Sequence, residues 1–252
     1  LVAGDDELRD RQLADYGEIV TRVAAVADPR LRGLGDLFLE RFGERFRRAA
    51  AARDYHHARR GGLVEHVAQM MRSAAAVASV YPTLNLDLMI TGVLFHDSGK
   101  LWETCFAEGG FTMPYVLSGE LLGHITLGME LVNKLWRDII EKPEAADWLH
   151  LEPSNDHVRL HLLHLIASHH GELEFGSPVL PKTPEAIALH HIDNIDAKLE
   201  MFRKGYASST ELGQGIYERV RPLTQRIVSP LATFVAKEDT PAQAFQGDSQ
   251  AQ

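Results

Sequence analysis

Apolar positions recur at helical spacing along most of the chain. Over residues 6–27, Leu8, Leu13, Tyr16, Ile19, Val20 and Val23 fall near one face of an amphipathic helix. Asp28-Pro29 ends that run and opens the next, because proline is tolerated in a first helical turn. Leu31, Leu34, Leu37, Phe38, Phe42 and Phe46 form the second stripe. After a Gly61-Gly62 hinge a third helix is predicted over 63–80, and Tyr81-Pro82 breaks it. Asn85 or Asp87 can cap a fourth, whose apolar run (Leu88, Met89, Ile90, Val93, Leu94, Phe95) ends in His96-Asp97. Gly99 is expected to stop this helix in a left-handed turn.

Residues 101–118 read as a loop or short hairpin, and 119–140 as a helix with Gly123-His124 in its first turns. Pro153-Ser154-Asn155-Asp156 offers a cap for a helix reaching His169-His170, and 171–184 is a loop. Pro184-Glu185 opens a helix past Asp193 and Asp196 toward Phe202, and a last helix is expected over 216–227. Neither strand alternation nor an internal repeat is evident. The predicted fold class is all-α.

At 252 residues the chain can bury a substantial core. Its 45% apolar and 24% charged content is ordinary for a soluble globular protein. No run of about 18 apolar residues predicts a membrane span. Leu1-Val2-Ala3-Gly4-Asp5-Asp6 lacks the regions of a signal peptide and a Met, so a fragment or processed form is expected. The single Cys105 excludes an intrachain disulfide and a Cys-rich zinc site, and reads as a small buried apolar residue. A reducing, cytoplasmic setting without a membrane partner is the expectation.

The net charge of −9 argues against a surface basic throughout, as many duplex-DNA binders have. Locally, residues 41–60 set seven arginines (Arg41, Arg45, Arg47, Arg48, Arg53, Arg59, Arg60) against Glu44 and Asp54. Arg59 and Arg60 either solvate a turn or steer phosphate.

The 13 histidines are clustered. Five helical segments present His or Asp near an end: His66; His96 and Asp97; His124; His169 and His170; Asp193 and Asp196. Such residues, distant in sequence, converge to build metal sites in helical bundles. Nitrogen and oxygen donors without thiolate favour Mn or Fe, with Mg, Zn, Co and Ni open. His157, His161 and His164 share a helical face that reads as packed or supporting rather than ligating.

The order His66, His96-Asp97, His124, His169-His170, Asp193 resembles the HD superfamily of metal-dependent phosphohydrolases. Longer strings resemble its YhaM-type 3′→5′ exoribonuclease branch. They are Tyr55-His56-His57-Ala58, Gly61-Gly62-Leu63-Val64-Glu65-His66, Leu94-Phe95-His96-Asp97-Ser98-Gly99-Lys100 and Gly119-Glu120-Leu121-Leu122-Gly123-His124-Ile125. Ser168-His169-His170-Gly171-Glu172-Leu173-Glu174-Phe175-Gly176-Ser177-Pro178, then Pro181-Lys182-Thr183-Pro184-Glu185-Ala186 and His190-His191-Ile192-Asp193-Asn194-Ile195-Asp196-Ala197-Lys198, complete them.

The resemblance covers roughly residues 50–205 and implies an HD helical bundle, placed here over 51–236; the pattern itself reads as an N-terminal helical extension (1–50) and a polar, disordered tail (237–252). It implies a mono- or binuclear centre of divalent metal ions, with two favoured. His66, His96, Asp97 and Asp193 would hold one, with Asp196 the second choice for the last acid. Asp97 would bridge to another held by His124, His169 and His170. Members of that branch carry an N-terminal OB-fold for single-stranded nucleic acid, whereas the residues ahead of the motifs here read as helices.

The implied activity is hydrolysis of single-stranded RNA from its 3′ end by a metal-activated water. Lys100 and Arg60 would hold phosphate oxygens, and His57 would contact substrate or protonate the leaving oxygen. Three alternatives stand beside it: a phosphohydrolase of small nucleotides, a di-iron oxygenase on the same ligands, and a non-catalytic nucleotide- or RNA-binding module. The Gly-Tyr-Pro signature of cyclic-di-GMP hydrolases is absent after His169-His170. Oligomerisation is left open.

Overall fold

Every residue of the fourth helix from Leu88 to Phe95 is buried, and most of the other helices pack around it. A helix apolar on all sides has to be enclosed in this way. The computed structural model describes residues 6–53, 57–110 and 112–233. Among them run seven α-helices: α1 (Asp6–Ala24), α2 (Pro29–Phe46), α3 (Gly62–Val80), α4 (Leu86–Phe95), α5 (Leu117–Ile140), α6 (Asn155–Ser168) and α7 (Pro184–Ser208). Tyr55-His56 of the motif strings and the tail over 237–252 lie outside the described residues.

The starts of these helices follow local chemistry. Asp28 accepts from the Arg30 amide with Pro29 in the first turn of α2, and Asn85 accepts from the Leu88 amide ahead of α4. Asp87, the other cap candidate, instead accepts from the amides of Ala27 and Asp28 and ties α4 to the α1–α2 turn. Ser154 caps α6 and Thr183 caps α7.

Helices α1 and α2 share the core of the later helices. Ile19, Val23, Leu34 and Phe38 belong to one hydrophobic cluster with Leu63, Leu94, Phe95, Leu165 and Leu189. Phe38 meets Phe95 edge-to-face at 5.0 Å between ring centroids, so α2 packs directly behind the His96-Asp97 pair.

Two expectations need correction. No left-handed turn occurs at Gly99; α4 passes through His96 into a 3₁₀ turn, Ser98–Trp102. The backbone stays compact there because α5 crosses close by. A Cβ on Gly99 would sit 1.9 Å from the His124 carbonyl oxygen. The helix expected over 216–227 is replaced by a three-stranded antiparallel sheet, β1 (Glu211–Gly213), β2 (Ile216–Arg219) and β3 (Arg226–Val228). Pro222 falls inside the expected helix without an amide hydrogen to donate, and Gly213, Gln214 and Gly215 take positive φ in the turn that returns β2 against β1. The bundle itself is all-α, and this small sheet packs against the end of α7, with Ile227 buried.

Candidate metal centre

The end of α4, the start of α3, the bent part of α5, the end of α6 and the middle of α7 meet at one place. Gly123 makes the bend: its φ of 70° and ψ of 164° interrupt α5 just before His124. His124 thereby arrives opposite Asp97.

His66, His96, Asp97 and His169 are buried, while His124 and His170 are less enclosed. His66 Nε2 lies 3.2 Å from His96 Nε2, 3.4 Å from Asp193 Oδ1 and 3.8 Å from Asp97 Oδ2. His96 Nε2 lies 3.4 Å from Asp97 Oδ2. The other carboxylate oxygen, Asp97 Oδ1, faces His124 Nε2 at 3.5 Å and His169 Nε2 at 3.7 Å. The His169 and His170 rings are 4.3 Å apart, and His170 is 5.2 Å from His124.

The opposite nitrogens are all engaged. Nδ1 of His96 donates to the Val93 carbonyl, that of His169 to Ile166 and that of His170 to Phe175. Nδ1 of His66 donates to Asp196 Oδ2 at 2.6 Å, and that of His124 to Glu103 Oε2 at 2.9 Å. Holding the proton on Nδ1 leaves Nε2 as the donor atom, the arrangement that outer partners impose on metal-binding imidazoles.

The donor set fits divalent cations. Asp97 Oδ1, His124 Nε2 and His169 Nε2 are buried and have no hydrogen-bond partner among the described residues. Buried polar atoms without partners are costly and call for an occupant. Ligands held at about 2.1 Å and at right angles stand about 3 Å apart, close to the spacings here. Two groups have ligand atoms within reach of a single ion, His66-His96-Asp97 and His124-His169-His170. A third such group, His57-His66-Asp196, is joined internally by hydrogen bonds of 3.1 and 2.6 Å.

The charges follow from the crowding. Burial opposes ionisation of Asp97, yet Lys100, His96, His124 and His169 hold its carboxyl well below the usual carboxylate range. With no cation bound, burial opposes protonation of His66, but Asp193 and Asp196 outweigh it and raise His66 to about 10, so a cation at Nε2 would displace a proton. Desolvation, with His96 adding repulsion, pushes His169 well down and keeps it neutral.

Of the other expected residues, Lys100 stays at the centre, whereas His57 and Arg60 are turned elsewhere. Lys100 is buried at the centre, its Nζ 2.7 Å from Asp97 Oδ2. His57 is buried behind His66, with Nε2 on Asp196 and Nδ1 3.6 Å from Glu65, so it does not line an approach for substrate. Arg60 donates to the carbonyls of Ala107, Glu108 and Gly110 and anchors that loop.

The arginine-rich stretch as a whole is structural. Arg41 pairs with Asp138, Arg47 with Glu44 and Arg48 with Glu108. Arg45 donates to the Leu101 carbonyl, Arg53 to those of Glu103, Met113 and Pro114, and Arg59 pairs with Glu65 and Glu200. His157 and His161 are exposed, and His164 accepts from the Lys182 amide, so that face supports nothing at the centre. Cys105 is half-buried against the core.

Two contributors escaped the sequence reading. Glu103 orients His124, and His190 donates Nδ1–H to the His169 carbonyl. Neither follows from spacing, although both lie in or beside the motif strings.

Among the described residues no helix is long and apolar enough to cross a membrane. The 3′-5′ exoribonuclease YhaM of Geobacillus sp. (strain WCH70) is 36% identical over 184 residues, 73% of this chain and 52% of that protein. The chain thus spans about half the length of this relative. No solved structure matches it. The HD domain profile matches residues 63–198, which begin at the first turn of α3 and carry His66, His96, Asp97, His124, His169, His170 and Asp193. By that match, over more than half its length, the chain belongs to the HD domain family.

Proposed function

We propose that this chain is a metal-dependent phosphodiesterase that removes nucleotides from the 3′ end of single-stranded RNA. The observation that carries the reading is the convergence of three buried, unpartnered atoms, Asp97 Oδ1, His124 Nε2 and His169 Nε2. The relative's printed activity supplies the substrate class and direction.

His66, His96, Asp97 and Asp193 would hold one cation, and Asp97, His124, His169 and His170 a second. The nitrogen and oxygen donors suit manganese or iron. When bound, such cations would supply a water of lowered pKa and positive charge to offset that developing on phosphate. The chain's own part is orientation and charge. Asp97 turns one oxygen toward each ligand group, and the Nδ1 acceptors hold the imidazoles in register. The Lys100 ammonium, positioned beside Asp97, donates to a non-bridging phosphate oxygen, the kind of charge stabilisation that dominates catalysis at phosphorus.

The test is incubation of manganese-loaded protein, under anaerobic conditions, with 3′- and 5′-labelled single-stranded RNA, DNA and a panel of mononucleotides. The expected products are 5′-mononucleotides released stepwise from the RNA 3′ end. Asp97→Asn should abolish release while the helical circular dichroism persists. Hydrolysis confined to mononucleotides would replace this reading with a nucleotidase. Undiminished cleavage by Asp97→Asn would remove the metal centre from it.

A further inference from the structure

The chain segments that carry the two less enclosed ligands, His124 and His170, also carry exposed apolar side chains. Tyr115, Leu117, Leu121 and Leu122 precede His124 in the chain, and Leu173 and Phe175 follow His170. Single exposed leucines need no explanation, but so many within a few residues of two ligands do.

Two of the six are aromatic, and each is tied to a ligand. Tyr115 is 75% exposed, and the Arg53 guanidinium lies 3.9 Å from its ring centroid. Arg53 is itself held by the carbonyls of Met113, Pro114 and Glu103, and Glu103 orients His124. One face of the Tyr115 ring is thus backed by a fixed cation. Phe175 is 63% exposed, and its carbonyl accepts from His170 Nδ1, which anchors its backbone beside a second ligand.

The charge of these segments is unsuited to gripping a phosphate backbone. Glu120, Glu172 and Glu174 are exposed in the same two segments, and the seven arginines of residues 41–60 are engaged with the protein. An incoming strand therefore has flat apolar faces to bind rather than a basic track. We propose that Tyr115 and Phe175, each tied to one of the two less enclosed ligands, stack on the terminal bases of a single-stranded nucleic acid. This rests on the phosphodiesterase reading for its substrate class.

The test measures binding without turnover. A short single-stranded RNA with 2-aminopurine at its 3′ end is titrated with the full chain in EDTA, so that stacking is read as quenching. Tyr115→Ala, Tyr115→Leu and Phe175→Ala should each weaken binding, by between about 5- and about 150-fold. Tyr115→Phe should bind as the parent does, because the ring face is kept. The dependence of affinity on salt should be shallow, since few counterions are displaced.

Equal affinity in all variants would overturn the proposal, and so would absence of quenching by the parent chain. A variant that binds RNA unchanged but loses a concentration-dependent dimer in light scattering would reassign these residues to self-association. Quenching that responds to the variants in a chain that cleaves nothing would uphold the stacking and reject the hydrolase. Cleavage by the parent with unaltered binding in the variants would do the reverse.

Discussion

His124 donates its Nδ1–H to Glu103 Oε2 across 2.9 Å, and this bond links α5 to the segment that follows the His96-Asp97 pair. It holds the imidazole with Nε2 toward Asp97 Oδ1. The acid is a positioning residue, and its loss should be felt as weaker metal binding. Glu103→Ala is expected to lower manganese affinity roughly 10- to 100-fold. Glu103→Gln retains an acceptor oxygen and should lose much less. Calorimetric titration of the metal reads both, and equal losses in the two variants would show that the carboxylate's charge, not the hydrogen bond, is what matters.

Gly99 is required for close approach. A side chain there would meet the His124 carbonyl oxygen at 1.9 Å and the Gly128 nitrogen at 2.8 Å, both backbone atoms that cannot rotate away. Gly99→Ala should therefore push α5 from the 3₁₀ turn, at a cost of roughly 1–3 kcal/mol. Urea unfolding measures the cost, and metal binding should weaken with it because His124 moves. Full stability in this variant would mean that the two segments part without consequence.

How far such features were legible depended on whether their signal was local. The Asp28-Pro29 start of α2, the Asn85 cap and the apolar run of α4 each lie within a few residues, and the sequence predicts them. The family order placed His66, His96, Asp97, His124, His169 and His170 in one set, and they do converge. The Glu103–His124 bond was illegible because 21 residues and a loop separate the partners. Gly99 misled because a glycine after a helix favours a left-handed stop, whereas tertiary contact with α5 decides its conformation. The arginine run misled for a similar reason: composition counts charges but not the carbonyls and carboxylates that later face them. Strands of three or four residues, as in the sheet after α7, give too little alternation to distinguish from a short helix.

Asp193 and Asp196 differ in what they face, which separates their roles. Asp193 Oδ1 lies 3.4 Å from His66 Nε2, on the side of His96 and Asp97. Asp196 takes the Nδ1 proton of His66 and is also bonded by His57 Nε2. The geometry favours Asp193 as ligand and Asp196 as the group that orients His66. Asp193→Ala should then lower the bound metal count by one in mass spectrometry under native conditions. Asp196→Ala should keep the count while weakening affinity roughly 10- to 100-fold. The opposite pattern would exchange the two assignments.

Glu65 carries a pH dependence that can be read apart from the metal. Its carboxylate is enclosed by Arg59, Gln12 and His57, and Arg59 also reaches Glu200, so α3 and α7 are joined through it. Burial alone would raise the pKa, but the His57, Arg59 and Gln12 groups outweigh it and lower Glu65 from 4.5 to about 2. A group depressed on folding stabilises the fold above its unfolded pKa. That contribution, on the order of 3 kcal/mol, is lost as pH falls from about 4.5 through about 2. Glu65→Gln in EDTA should therefore be less stable than the parent at pH 7. The two should draw together as the pH drops, because the protonated parent resembles the amide. Thermal unfolding followed by circular dichroism across this range gives the comparison. Curves that stay parallel down to pH 2 would show that Glu65 titrates alike in the folded and unfolded chain.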